Sequence, residues 1–238
     1  MPVTMVRRYA LHGLVAVAAL IIAAIVAPMV LAAAAPAPVA PAAPRSVARL
    51  DTTRVDVAGG SEARYRAQET LSGRGFNEAV GRTSGVQGAV VLDAAGGVVP
   101  DQSKITVDMT SLTSDNSTRD NFIRRNTLQV TQFPTAEFIP TSAPGLPTPL
   151  PTSGTATFQL MGDLTVHGVT RPATWDVQAT FAEDGLTAMA GTTVLMTDFG
   201  MEPPKAGPVL SIEDSVRLEF DVKGTVAPSI AELLSAPS

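Results

Sequence analysis

The chain of 238 residues contains no cysteine, which removes disulfide frameworks, thiolate nucleophiles, Cys-based zinc or iron–sulfur sites and a lipidated cysteine anchor. Histidine is almost as scarce. His12 lies in the N-terminal segment and only His167 lies beyond it, so a Ser-His-Asp arrangement would have to use His167. In "LTVHGVT" that residue stands at a strand end before a glycine turn, where a structural role is the stronger reading. One histidine without cysteine leaves carboxylates as metal donors, suited at most to a weak calcium site, and no metal centre is expected. A phosphate cradle is missing too, because "GRGFNEAVG" lacks the Lys-Ser/Thr of a P-loop. "DFGMEPP" shares three letters with the kinase magnesium motif but none of its company; Phe199 and Met201 read as apolar residues closing a strand before Pro203 and Pro204.

Basic charge is also in short supply. Removing Arg7, Arg8 and Arg45 from the 17 basic residues leaves 14 against 22 acidic ones, a formal charge of −8 from Ser46 onward. A nucleic-acid partner needs a basic footprint and is excluded. Residues 1–35 hold Arg7 and Arg8 followed by the apolar run "LVAVAALIIAAIVAPMVLAAAA", the pattern of an export segment. Its length suits a bilayer anchor with the rest of the chain on the extracytoplasmic side, whereas Ala-x-Ala sites near Ala32–Ala35 suit a cleaved signal and a secreted or periplasmic product. Residues 36–48 are a Pro/Ala-rich spacer, extended because alternating proline denies helix hydrogen bonding. One domain, 49–227, and a short tail, 228–238, complete the chain.

Within the domain, apolar residues alternate with polar ones. Leu218, Phe220 and Val222 oppose Arg217, Glu219, Asp221 and Lys223; Ile105, Val107 and Met109 oppose Thr106 and Asp108; Trp175, Val177, Ala179 and Phe181 oppose Thr174, Asp176, Gln178 and Thr180. Each set predicts an antiparallel strand with one dry face. Turns at "AGG", "SGRG", "AAGG" and "EDG" separate the strands. The proline-rich 141–154 is an exposed loop. The fold class is therefore all-β and antiparallel, a sandwich or a barrel, and alternation alone does not choose between a filled interior and a hollow one. One polar stretch stands apart: "STRDNFIRR" predicts a short helix with Ser117 as N-cap and Asp120 three residues on. A second short helix is expected at Ser229–Ala236.

"VDMTSLTSDNSTRDNFIRRNTLQVTQFPTAEF" (107–138), "GDLTVHGVTRPATWDVQA" (162–179), "TDFGM" (197–201) and "IEDSVRLEFDV" (212–222) together resemble the YceI-like family of exported polyisoprenoid-binding proteins. The resemblance implies an antiparallel lipocalin-like β-barrel of about eight strands with a short helical crossover. It also implies an apolar channel for an amphiphilic isoprenoid such as a quinone or polyprenyl lipid, and no enzymatic activity or further cofactor. The chain departs from the family where histidines usually stand near the first strands, for "DTTRVDVAGGSEARYRAQETL" has none.

In such a barrel residues 117–128 form a lid, with Phe122, Ile123 and Leu128 pointing into the channel and the arginines left in water or on acidic loops. Arg119 either caps locally against a carboxylate or meets a lipid head group. Glu69 shares alternation parity with Tyr65 and Leu71, so it points inward with them and needs a partner. Val90, Leu92, Ile105, Val107, Phe138, Phe158, Trp175, Phe199, Met201 and Phe220 complete the candidate channel wall, although an aromatic residue is as readily plain core. The expected partners are an isoprenoid lipid, the membrane through the N-terminal segment, and a second copy of the chain. The competing reading is a solid-cored β-domain serving as an extracytoplasmic adhesion or assembly module.

Overall fold

The computed structural model describes residues 52–204 and 209–227. The leader, the Pro/Ala spacer and the tail with its expected helix lie outside the described residues. Among the described residues no helix is long and apolar enough to cross a membrane.

Ten strand segments form one antiparallel sheet: β1 (Thr53–Val57), β2 (Glu62–Leu71), β3 (Gly75–Thr83), β4 (Val86–Leu92), β5 (Lys104–Asp108), β6 (Thr135–Ser142), β7 (Gly154–Val166), β8 (Val169–Ala182), β9 (Gly185–Leu195) and β10 (Val209–Ala227). The order is β1-β4-β5-β6-β7-β8-β9-β10-β2-β3, and a further pairing of β1 with β10 closes the ring. The nineteen-residue β10 meets β2 between Val209 and Asp221 and β1 between Gly224 and Ala227. Thus β1 and β2 lie end to end along one edge, as do β3 and β4 in the next layer of the ladder. Counted this way, the ten segments make a closed eight-stranded barrel with one short helix, α1 (Ser117–Phe122).

Local chemistry explains the two breaks. Between β1 and β2 the chain turns at Gly60, whose φ of 87° suits glycine. The buried Ser61 hydroxyl donates to Ala58 O at 2.8 Å and accepts from Lys223 N at 2.9 Å, satisfying backbone groups that the ladder leaves free. Between β3 and β4 the Gly85 amide donates to the Thr83 hydroxyl at 2.9 Å.

The β7–β8 hairpin closes on two residues, His167 and Gly168, at φ of 51° and 74°. Both central residues at positive φ make this the hairpin turn that matches strand twist. His167 is therefore in the turn itself rather than at a strand end. Along β8, Trp175, Val177, Ala179 and Phe181 are buried and their neighbours exposed, as alternation requires. The Trp175 ring packs edge-on to Phe138 with centroids 5.9 Å apart and against Phe220 at 4.9 Å. On the outer face Arg66 joins Glu78 at 2.8 Å and Glu219 at 3.0 Å, a cross-strand charge row over β3, β2 and β10.

The helix begins one residue earlier than a Ser117 cap would place it. Asn116 is the N-cap, its side-chain oxygen accepting from Thr118 N at 3.0 Å and Arg119 N at 3.1 Å. Asp120 does not close a capping box; it is buried and accepts from Ser114 N at 2.9 Å and from the Ser114 hydroxyl. After Phe122 the helix widens into a π-turn, Ile123–Thr127, in which Leu128 N donates to Ile123 O at 2.8 Å. Residues five apart then share a face, which sets Leu128 beside Ile123.

Candidate functional site

Inside the ring the inward side chains do not meet. They enclose a cavity of about 620 Å³, within the size range of small-molecule pockets. On β2 the wall is Ala63, Tyr65, Ala67, Glu69 and Leu71, every second residue. That wall follows the strand for roughly 27 Å at about 3.4 Å per residue. Of the residues expected to form the channel, Ile105, Val107, Phe138, Trp175, Phe199, Met201 and Phe220 border it, and Phe122, Ile123 and Leu128 border it from the lid. Phe199 sits in a tight 3₁₀ turn, Thr197–Phe199, after β9 rather than in a strand, and is 1% exposed.

Three expected wall residues lie elsewhere. Val90 and Leu92 do not border the cavity. The end of β4 is covered by the following loop, where the Ser103 hydroxyl accepts from Val91 N at 2.8 Å and Leu92 bridges to Val98. Ala89 and Val91 are buried and Val90 between them only partly so, while Leu92 is buried at the strand's end beside that loop, so the buried parity is not the one expected to face the channel. Phe158 packs against the main apolar cluster without reaching the cavity.

Residues not foreseen also line it, among them Ala79, Met109, Leu112, Leu164, Val194, Met196, Ile212 and Val216. The parity of Ile105 and Val107 already extended to Met109. The others rest on register and loop course, which a single sequence does not carry.

The polar part of the cavity centres on Glu69. Its side chain is 1% exposed and forms an ion pair with Arg119 Nη1 at 3.2 Å. The same oxygen, Oε1, accepts from Asn77 Nδ2 at 2.7 Å, while Oε2 has no partner among the described residues. Asn77 is the cross-strand partner of Glu69 in the β2–β3 hairpin, and the turn at "SGRG" was signal enough to find it. Arg119 Nη2 donates to Ser114 Oγ at 3.0 Å and to the Asp115 carboxylate, and Nε, also buried, has no partner. Arg119 therefore pairs with carboxylates, one of the two roles expected of it, and reaches Glu69 at the cavity wall as well as Asp115 on its own loop. Arg124 fastens the lid from the other side through Leu112 O at 3.0 Å.

Tyr65 lies over Gly81, its cross-strand partner; a Cβ there would stand 2.1 Å from the ring. Burial, the main cause, and the Asp120, Glu69 and Asp115 carboxylates push its phenol up to about 12, against a lowering by Arg119. The hydroxyl stays protonated at neutral pH.

His167 is outside this arrangement. Its Nδ1 meets Phe199 O at 3.3 Å, its ring packs edge-on to Phe133 with centroids 4.6 Å apart, and no serine or carboxylate partner accompanies it.

A closed antiparallel barrel around an apolar hollow, capped by a short helix and with one buried ion pair, defines a calyx-type binding domain. The YceI-like domain family matches residues 54–224, and the chain belongs to that family. A UPF0312 protein of Pseudomonas putida strain F1 is 36% identical over 136 residues, 52% of this chain and 64% of that protein. A UPF0312 protein of Pseudomonas fluorescens strain SBW25 is 33% identical over 165 residues, 65% of this chain and 77% of that one. The chain thus spans just under two thirds of the first relative's length. Among solved structures, a polyisoprenoid binding domain from Saccharophagus degradans implicated in plant cell wall breakdown superposes with a TM-score of 0.56 at 11% identity, covering 75% of this chain and 99% of that one. Burkholderia cenocepacia BcnA gives 0.51 at 15% identity, covering 73% and 100%. At these identities the likeness is one of fold.

Proposed function

We propose that the barrel holds one long amphiphilic isoprenoid, a quinone or a polyprenyl lipid, in its channel and does no chemistry on it. The observation that carries this reading is the lengthwise apolar hollow, walled by Ile105, Phe138, Trp175, Phe199 and Phe220 and closed by Phe122, Ile123 and Leu128. Each 100 Å² of lipid surface withdrawn from water contributes about 2.5 kcal/mol, so burying part of a polyprenyl tail is enough for tight binding. The Saccharophagus degradans neighbour, a polyisoprenoid binding domain, points the same way. The solid-cored alternative requires the inward side chains to fill the ring, and the cavity argues against it. Hydrolysis through His167 lacks its partners. The leader read from the sequence would tether the barrel on the extracytoplasmic side of the membrane, raising its effective concentration near the lipid.

Mass spectrometry of an organic extract from freshly purified protein tests this. Made in a host that synthesises quinones and polyprenyl lipids, the chain is expected to yield about one isoprenoid per molecule. An extract without isoprenoid overturns the reading.

A further inference from the structure

We propose that the buried Glu69–Arg119 pair is the head-group subsite of this channel, and that it selects an isoprenoid ending in a hydroxyl over one ending in phosphate or in an acceptor-only carbonyl. The inference rests on the isoprenoid reading above and names which member of that class the site takes.

Three observations lead to it. The first is an acceptor without a donor: Glu69 lines the cavity, and its Oε2 is buried with no partner among the described residues, although Asn77 and Arg119 both bond its neighbour Oε1. A carboxylate paired with a guanidinium accepts only, and a buried acceptor left unpaired is costly. The second is a donor without an acceptor: Arg119 lines the same cavity, and its Nε is buried with no partner among the described residues. A hydroxyl is the smallest group that answers both, since it donates one hydrogen and accepts on its lone pairs. A quinone carbonyl could accept from Nε but would leave Oε2 as it is.

The third observation is the charge around the pair. Glu69 and Asp115 both contact Arg119, and Asp120 lies one residue further on with its carboxylate bonded to Ser114. Two carboxylates pair with one guanidinium, and a third shares Ser114 with it. A phosphate would bring −1.5 to −2 more charge and three further acceptor oxygens to a pair whose one unpaired donor is Arg119 Nε. Arg74, at the β2–β3 turn, also borders the cavity but is exposed, so water already screens it. Tyr65, on the same face of β2, offers a second uncharged hydroxyl.

The test uses the full chain stripped of lipid, and Trp175, the chain's one tryptophan, as a fluorescent reporter in the cavity wall. Geranylgeraniol, its methyl ether, its monophosphate, and a prenylated hydroquinone with the matching quinone are titrated. The alcohol and the hydroquinone are expected to bind at least about tenfold tighter than the other three, the size of one hydrogen bond to a charged group. Which of those two binds tighter identifies the source of the hydroxyl. Glu69→Gln, nearly isosteric, is expected to flatten that preference and to raise the phosphate's relative affinity, because Arg119 then loses a counter-charge. Phosphate or ether binding as tight as the alcohol in the unmodified chain overturns the head-group inference and leaves the isoprenoid reading standing. Failure of all five compounds to bind overturns the isoprenoid reading itself.

Discussion

The β7–β8 hairpin and the β2–β3 hairpin are built on the same antiparallel ladder, yet they send different things inward. From β8 come Trp175, Val177, Ala179 and Phe181, all apolar and all buried, behind a turn whose two residues take the conformation the twist demands. From β2 come Tyr65 and Glu69 among small apolar neighbours, and from β3 come Asn77 and a glycine that leaves room for the tyrosine ring. Along β8 the apolar alternation holds from Trp175 to Phe181; along β2 it is broken twice within five residues. Violations of local consistency concentrate where a fold does something besides fold. Here they coincide with the buried ion pair and the lid.

Three experiments sharpen this contrast. Trp175→Ala strikes the regular wall, where the ring is 2% exposed against Phe138 and Phe220. A loss of about 3–5 kcal/mol in urea unfolding is expected; a loss under about 1 kcal/mol would mean that the wall is not the scaffold. Tyr65→Phe probes the irregular wall. The phenol is held up to about 12 from an ordinary 10, so between those pH values the unfolded chain releases a proton that the folded chain keeps. Stability should fall as pH rises through that window, by roughly 2 kcal/mol, and the Phe variant should not show the fall. A wild-type stability flat from pH 10 to 12 would contradict the burial of that hydroxyl. Phe122→Ala, on the lid, is expected to leave stability within about 1 kcal/mol of wild type while lipid is lost to solvent several-fold faster. Retention equal to wild type would show that the lid does not control release.

Much of the fold was readable from the residues because it rests on local periodicity. The strands around Val107, Trp175 and Phe220 follow from two-residue alternation, and the inward placement of Glu69 followed from parity with Tyr65. The lid's apolar residues followed from their contrast with the arginines around them. Illegible features were those decided by the rest of the molecule. On β4 the buried parity is that of Ala89 and Val91, with Leu92 buried beside the following loop, and a run of four apolar residues gives alternation no way to show which side that is. Arg119 was expected to meet a local carboxylate or a lipid head group, because a helix alone does not reveal that a carboxylate fifty residues earlier lies opposite. Asn116 took the cap from Ser117 because its carboxamide reaches two amides at once.

The long β10 carries a consequence for how the molecule comes into being. It joins β9 to β1 and β2, the last part of the domain to the first. Until that strand is laid down, every earlier segment belongs to an open sheet whose would-be interior faces water. Until then no hollow exists, and a ligand can be enclosed only by a finished chain. Barrels closed by contacts so distant in sequence assemble slowly. In the meantime Trp175, Phe199 and their neighbours are available to any passing hydrophobe, which makes the last strand a gatekeeper in time as the helix is in space.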